Sequence, residues 1–431
     1  MRYDLISSAL FTDRRRAFTK KMQPGSIAIF YSSDQMPRSG DQHFPFRQDS
    51  ALFALSGLDQ QGTIIALYPN AAKDSLKEIA FILPHDPEHA IWNGDRLDPK
   101  EAKKISGIAT IKTIAAWDKI MPPLLLSANA IYINARQQDR FHTEIPSQND
   151  RMGIELKRLY PSHTFFQSQP ILRQLSMIKH PQEIELMKRA VEVTGLAFDR
   201  VLKTIKPKMK EYEAEAELTY IMSVNGCHHA FEPIVASGKS ACILHYIKND
   251  QVIKPDTLVL LDFGAEYACM ASDMTRTIPA SGKFSLRQRQ IYTSVLSVLN
   301  EVTGMMSPGM TINQLNKEAG KLIEGELIKL GIVRKSDIRR QAKDAPLWKK
   351  YFMHGVSHHL GYDVHDISDR SSPLKAGMVL TCEPGIYVPE ENIGIRLEND
   401  ILITKKGPRN LMASIPIHPD EIESIMNTRP I

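Results

Sequence analysis

Only four cysteines occur in the chain, Cys227, Cys242, Cys269 and Cys382, and none stands in a CxxC pair or beside a zinc-type pattern. That scarcity argues against a disulfide scaffold and a thiolate metal site, and it fits free, buried thiols in a reducing compartment. No apolar run approaches the roughly 18 residues needed to cross a bilayer. The opening MRYDLISSALFTDRRR has an early aspartate, a short apolar stretch and arginines on the wrong side of it, so it does not read as a signal peptide. A dominant charge is missing too: 54 Lys and Arg against 49 Asp and Glu leave +5. The one basic block, Arg14-Arg15-Arg16, is expected to form a solvated helix face, and no nucleic-acid motif accompanies it. These absences together describe a cytoplasmic chain with neither membrane nor nucleic acid as a partner.

What is present suffices for a substantial core, with 42% hydrophobic and 24% charged residues over 431 positions. That length predicts two domains. The first part alternates short Ile-rich strands with helices. Strands are expected at Ser26–Tyr31, Gly62–Tyr68, Glu78–Pro84 and Ala130–Asn134, and helices at Pro99–Ile105 and Asp150–Leu159. No phosphate-cradling glycine loop interrupts them. The segment RSGDQHFPFRQD (Arg38–Asp49) is polar and aromatic at once, an ordinary surface loop or one that faces a ligand. Near residue 173 the character changes. Helical periodicity runs from Pro181 to Ile205, with proline at its start and Pro207 beyond its end. The boundary is therefore set between residues 1–173 and 174–431. Further helices are expected at Lys210–Met222 and Thr311–Leu330, each followed by a β segment bearing a histidine, around His245 and His354. This hints at an internal duplication.

The chemistry concentrates after residue 256. Two β-rich runs, Thr257–Phe263 and Ala271–Ile278, read as a hairpin, and each carries an aspartate where a strand should be apolar, Asp262 and Asp273. Downstream, FMHGVSHHLGYDVHD (Phe352–Asp366) holds four histidines. The strand MVLTCEPGIYV carries Glu383, and the strand IGIRLENDILIT places Arg396 and Glu398 on one face. Each acidic residue alone could be a strand-end or solvated group. Four carboxylates in apolar β surroundings are costly unless cations sit among them. Four negative charges, two divalent ions and a bridging hydroxide would leave the cluster near −1. Oxygen-rich ligation with one imidazole suits Mn²⁺, Co²⁺ or Zn²⁺ and points to hydrolysis.

The ordered set D-x10-D, HGVSH, EPGIY and IRLEND resembles the metal-dependent pita-bread aminopeptidases, specifically the aminopeptidase P (Xaa-Pro aminopeptidase) branch. RRRAFTKKMQPGSIAIF, FPFRQDSALFALSG and IWNGDRL are similar to that branch's amino-terminal domain. The resemblance implies an α/β (α+β) chain, an N-terminal α/β domain followed by a C-terminal pita-bread (creatinase/aminopeptidase-like) domain. It implies two divalent metals, Mn²⁺ first with Co²⁺ or Zn²⁺ as alternatives, held by Asp262, Asp273, His358, Glu383 and Glu398. Asp262 would hold one metal and Asp273 and Glu398 would bridge both, with His358 and Glu383 completing the other. Glu383 would also be the general base. His245, His354 and His365 would line the substrate pocket and donate to the peptide and the oxyanion, and Arg396 would brace one wall. Asp41 matches a position at which the first domain reaches a neighbouring subunit's cleft. The implied reaction removes the N-terminal residue from peptides with proline second, in a homo-oligomer, dimer or tetramer.

An Xaa-Pro dipeptidase (prolidase) shares the ligands and is the alternative. A methionine aminopeptidase lacks this first domain, and a non-catalytic binding protein or a creatinase-like enzyme would not need all five ligands. His359 is expected to be structural or solvated, His228 and His229 to be packing or loop residues, and Cys382 to turn into the core.

Overall fold

The computed structural model describes residues 2–135, 144–342 and 345–428. It separates into two compact units, residues 4–176 and residues 177–428 together with 2–3. No helix among the described residues is long and apolar enough to cross a membrane.

In the first unit a six-stranded sheet is built from β1 (Ser26–Tyr31), β4 (Ile64–Leu67), β5 (Glu78–Ile82), β6 (Thr110–Thr113), β7 (Ala130–Ile133) and β8 (Thr164–Gln167), while β2 (Pro37–Ser39) and β3 (Gln42–His43) form a separate hairpin. The sheet order is β6-β5-β4-β1-β7-β8. Its centre is antiparallel, β1 with β4 and β4 with β5, and its flanks are parallel. All six residues of β1 are buried, so it reads as a continuous Ile-rich run rather than an alternating one. Helix Pro99–Ser106 shows the local code: an Asp98–Glu101 capping box, proline at its first position and Gly107 left-handed at its end.

The Arg14-Arg15-Arg16 block is not the solvated face expected from its charge. Arg15 is fully buried in helix Ser8–Thr19. It donates to the carbonyls of Leu55 and Ser106 at 2.8 and 2.9 Å and to Glu78 at 2.9 Å. Leu55 and Ser106 lie in the last turns of helices Ser50–Ser56 and Pro99–Ser106, where carbonyls lack partners within the helix and a cation is favourable. The segment Arg38–Asp49 likewise divides: Asp49 caps helix Ser50–Ser56 and Gln48 is buried, while the β2–β3 hairpin is exposed.

The second unit begins with helices Pro181–Thr204 and Glu211–Val224, continues through strands β9 to β14, then helices Leu286–Met305 and Ile312–Lys329, strands β15 to β19 and helix Pro419–Asn427. These strands are β9 (His228–His229), β10 (Ile234–Ser237), β11 (Leu258–Phe263), β12 (Ala265–Tyr267), β13 (Met270–Ala271), β14 (Met274–Pro279), β15 (Val379–Cys382), β16 (Gly385–Val388), β17 (Ile393–Arg396), β18 (Asn399–Thr404) and β19 (Gly407–Asn410). They pair as β10-β11-β14, β13-β12-β9, β15-β18-β19 and β16-β17. The regions around His245 and His354 are irregular rather than the β segments expected, apart from an isolated bridge between His359 and Leu380.

Arg15→Met should destabilise the chain by about 2–4 kcal/mol by stranding two buried helix-terminal carbonyls, whereas Arg16→Ala, at an exposed position, should cost under about 0.5 kcal/mol. Urea unfolding of both variants checks this. Equal losses would contradict the capping role.

Candidate metal centre

Strand β11 reads LVLLDF and is buried along its whole length. It pairs antiparallel with β14, so Asp262 lies opposite Thr275 and Phe263 opposite Met274. The connection between them is itself a small hairpin, β12–β13, closed by Ala268 and Cys269 with φ of 52° and 59°. Two successive left-handed residues are what a tight two-residue turn demands. Where the chain leaves β11, a Cβ on Gly264 would stand 1.8 Å from the Ser272 carbonyl oxygen. Only glycine lets the two arms approach here, and this closeness sets Asp273 at the mouth of β14 beside Asp262.

The downstream runs are each two strands, not one. The first breaks at Glu383-Pro384 between β15 and β16, and the second at Leu397-Glu398 between β17 and β18. At each break the chain leaves one sheet for another, so both glutamates occupy joints. Their backbones are fixed there: Glu383 N–H donates to Val356 O at 2.9 Å, and Glu398 N–H to Thr275 O at 3.0 Å.

Three of the groups singled out from the sequence converge closely: ligand atoms of Asp273, His358 and Glu398 all lie within 4.8 Å of one another. His358 Nε2 is 3.4 Å from Asp273 Oδ2 and 3.5 Å from Glu383 Oε1. Its Nδ1 lies 3.0 Å from His359 O, which places the proton on Nδ1 and leaves Nε2 with a lone pair toward the carboxylates. Thr381 Oγ1 donates to Glu383, and Thr275 Oγ1 donates to Glu398 Oε2 at 2.6 Å.

Asp262 is tied to the cluster by Arg396. That guanidinium reaches Asp262 Oδ2 at 2.5 Å, Thr275 Oγ1 at 3.0 Å and the Tyr387 hydroxyl at 2.8 Å. Burial alone would lower the Arg396 pKa, but Tyr387, Asp262 and Glu398 outweigh it and hold it above its ordinary value. Tyr387 in turn meets His354 Nε2 at 2.8 Å, and His354 Nδ1 lies 2.8 Å from Gly355 O and 3.5 Å from Glu383 Oε2. A single proton arrangement satisfies this row: Arg396 donates to Tyr387, Tyr387 donates to His354 Nε2, and His354 Nδ1–H points toward Gly355 O and Glu383. Both ring nitrogens of His354 are thus engaged within the chain. Burial also lowers its pKa and keeps it neutral.

His365 stands edge-on to His358 with ring centroids 4.4 Å apart. Burial first, then the neighbouring His358 and His245 imidazoles, lowers its pKa to about 4, so it is a neutral imidazole. His245 is exposed. Asp41 belongs to the other unit, exposed on the turn between β2 and β3, where it accepts from Gln42 Nε2 at 3.2 Å. His359 is buried, with its pKa lowered to about 3 by burial and then by Lys179. His229 meets Thr219 Oγ1 at 2.9 Å from strand β9, and Cys382 is fully buried.

Tyr387, Thr275, Thr381 and Asp400 were not singled out from the sequence. Asp400 is fully buried and accepts from the Asp273 N–H at 3.3 Å. Its position two residues beyond Glu398, after Arg396, continues an alternation of charge along an apolar segment, a cue present in IRLEND itself. The hydroxyl groups carry no such cue.

The donor set fits divalent metal. Burial first, then Asp262, holds the Asp273 carboxyl well above its ordinary pKa; burial and then Asp273 do the same for Glu398. Asp262 Oδ1, Asp273 Oδ1 and Asp400 Oδ1 are buried without a hydrogen-bond partner. Buried carboxylate oxygens without donors, next to the convergence of Asp273, His358 and Glu398, are what a bound cation would satisfy.

Residues 185–405 match the model of metallopeptidase family M24, and residues 11–132 match the aminopeptidase P N-terminal domain. The chain is 34% identical to the Xaa-Pro aminopeptidase of Escherichia coli (strain K12), with 98% of each chain covered. It is 31% identical to human Xaa-Pro aminopeptidase 3, covering 93% of this chain and 79% of that one. Among solved structures it is similar to zinc-substituted E. coli aminopeptidase P in complex with product, with TM-score 0.88, 32% identity and coverage of 99% and 100%. It is also similar to Pseudomonas aeruginosa aminopeptidase PepP, with TM-score 0.90, 31% identity and 98% of each chain covered. The chain belongs to metallopeptidase family M24, in its aminopeptidase P branch, with the N-terminal α/β and C-terminal pita-bread domains of that branch.

Proposed function

We infer that this chain is a metalloaminopeptidase that removes the N-terminal residue from peptides carrying proline in the second position. The observation that carries this reading is the convergence of Asp273, His358 and Glu398, beside Asp262 and Glu383, in a chain similar over its full length to Xaa-Pro aminopeptidases.

The five residues Asp262, Asp273, His358, Glu383 and Glu398 are proposed to hold two divalent ions. Bound there, such ions supply an activated water at neutral pH and polarise the scissile carbonyl. An Xaa-Pro bond has a tertiary amide without an N–H, so the site must work on the carbonyl. Glu383, half-buried, takes up the proton released on attack and returns it to the proline nitrogen as the bond breaks. His365, neutral and half-buried, donates to the oxygen that gains charge. His245 at the exposed edge contacts the peptide. His354 and Arg396 keep Asp262 and Glu383 in register through Tyr387, and the neutral His354 passes no charge into the cluster. Among the metals Mn²⁺ stands first, since oxygen-rich ligation with one imidazole suits it, with Co²⁺ and Zn²⁺ as alternatives. The free cysteines support a cytoplasmic setting. A dimer or tetramer, with Asp41 reaching a neighbour's cleft, and a domain boundary at residue 173 complete the reading.

Glu383→Gln should lower kcat on an Xaa-Pro-Xbb tripeptide by at least about 10³-fold, because it removes a general base and weakens a ligand at once. Asp273→Ala and Glu398→Ala should lose metal and activity together. His365→Ala should keep its metal and lose turnover. Metal content beside kinetics decides among these, and metal lost in the His365 variant would overturn its role. Cleavage of an Xaa-Pro dipeptide but not the tripeptide would make the chain a prolidase instead.

Metal should also stabilise the fold, and more so at higher pH. Free carboxyls ionise at about pH 4, whereas Asp273 and Glu398 in the metal-free fold ionise only well above that. Between those values the folded state binds more protons than the unfolded one, so its stability falls as pH rises. Metal replaces those protons. Mn²⁺ at one fixed concentration, about a hundred times its dissociation constant at about pH 7.5, should add about 2.7 kcal/mol there. The rise in Tm at that concentration should be smaller at about pH 5.5, where protons compete for the carboxylates. Thermal melts with and without chelator read this directly; an equal rise at both pH values would contradict it.

A further inference from the structure

His358 and His365 lie on a segment with little regular structure. At its base, His359 bridges Leu380, Thr381 N–H donates to His358 O at 2.9 Å, and Leu360 N–H donates to Val379 O at 3.1 Å. Beyond Leu360 no strand ladder continues through residues 361–367, yet His365 keeps its edge-on contact with His358. Something else must hold it.

Two buried contacts bracket it. One residue after His365, Asp366 accepts from Lys179 Nζ at 2.7 Å, with the two side chains only 3% and 1% exposed. Three residues before it, the Tyr362 hydroxyl donates to Glu183 Oε1 at 3.0 Å, again buried. Lys179, just before the N-cap His180, and Glu183, in the first turn, flank the start of helix Pro181–Thr204, where Glu183 also closes the capping box on His180. Lys179 is pinned in turn, its N–H donating to Gly377 O at 2.8 Å. The packing leaves no slack: a Cβ on Gly361 would stand 2.1 Å from Asp366 Oδ2 and 2.6 Å from Lys179 Nζ. The Asp366 N–H reaches back to His359 O at 3.0 Å and closes the loop on itself.

A buried ion pair contributes little net stability, because desolvation offsets the attraction, and apolar residues of like volume often serve as well. What it does supply is a directional, short-range constraint. We propose that Lys179 and Asp366, with Glu183 and Tyr362, form a tether from the helix to the loop that fixes His365 for turnover, so that these are positioning residues of the reaction. The proposal rests on the peptidase reading above. It also accounts for the final aspartate of YDVHD, which anchors the histidine beside it.

The test uses the metal-loaded full chain and compares wild type with Lys179→Met, the double variant Lys179→Met/Asp366→Leu, and Tyr362→Phe. The single variant removes the Lys179 ammonium from the buried Asp366 carboxylate and should melt several degrees lower, while the double variant should recover most of that loss. Despite this recovery, kcat of the double variant on an Xaa-Pro-Xbb tripeptide should stay at least about tenfold down, with KM and metal content within about twofold of wild type. Tyr362→Phe, which removes one oxygen, should lower kcat about threefold or more by the same split. Hydrogen exchange of residues 355–367 should quicken in the double variant. A refolded double variant with wild-type kcat, or one whose kcat falls only in proportion to lost metal, overturns the proposal. Should the double variant not fold, an unchanged kcat in Tyr362→Phe overturns it and a lowered kcat at constant KM supports it. If wild type cleaves no Xaa-Pro peptide, the functional reading fails instead, and the exchange rates still decide the tether: unchanged rates refute it.

Discussion

Negative charge buried without enough positive charge is the constraint on which the C-terminal unit depends. Asp262, Asp273, Glu383, Glu398 and Asp400 gather in walls made of β11, β14, β15 and β18, against the guanidinium of Arg396 at Asp262 and that of Arg276, which donates to the Glu398 carbonyl. Two like charges about 4 Å apart cost about 4 kcal/mol at an effective dielectric of about 20. A handful of such pairs would consume the roughly 5–15 kcal/mol by which a domain is stable. The cluster must therefore take up protons or cations. The raised pKa values of Asp273 and Glu398 describe the first solution, and membership of a metallopeptidase family describes the second. The same deficit makes the site both a metal trap and a source of instability when empty of cations.

Local structure follows from the need to aim these groups. Glu383 and Glu398 sit at strand breaks because a residue within a continuous ladder is limited to two faces, whereas a joint between sheets can turn a side chain inward from the edge. Thr275 illustrates how few residues the arrangement needs. Its carbonyl fixes the Glu398 backbone, its hydroxyl meets Glu398 Oε2, and it accepts from Arg396 Nε. One residue on β14 thereby couples the β17–β18 joint to Asp262 on the neighbouring strand. Gly264 is the other constraint of this kind, since only the missing side chain lets Ser272 pass within reach and brings the two aspartates together.

Much of this was legible in the sequence, for reasons that differ by element. Strand β11 with Asp262, the helix from Pro181 and the Ile-rich β1 announced themselves through apolar periodicity, which depends on near neighbours only. The run expected over Ala271–Ile278, by contrast, breaks at residues 272–273 and leaves Asp273 just ahead of β14. The family resemblance named Asp273, His358 and Glu398, whose ligand atoms lie within 4.8 Å of one another, a matter no spacing could settle, because it requires several sheets to be placed together. Where the reading failed, tertiary context decided. Arg15 reads as solvent-facing because arginine usually is, and nothing nearby in sequence reveals that two helix ends at Leu55 and Ser106 need its donors. The runs holding Glu383 and Glu398 read as single strands because their apolar pattern continues across the break; only the change of pairing partner, from β15 with β18 to β16 with β17, creates the joint. Tyr387 was invisible for a similar reason, since a tyrosine in a strand looks like core until Arg396 and His354 are seen on its hydroxyl.

Two support systems can be told apart. The groups proposed as ligands are held mainly by backbone: Asp262 by its pairing in β11–β14, Glu383 and Glu398 by their N–H bonds, and His358 by the bridge beside β15. The groups proposed to handle protons and peptide are held mainly by side chains, His354 by Tyr387 and Arg396, and His365 by its neighbours' contacts with Lys179 and Glu183. Backbone ladders yield only when the fold does, while a side-chain contact can be lost with the fold intact. Affinity for cations and speed of turnover should therefore be separable properties of this chain, the first set by how the sheets are joined and the second by a few buried polar contacts at their edge.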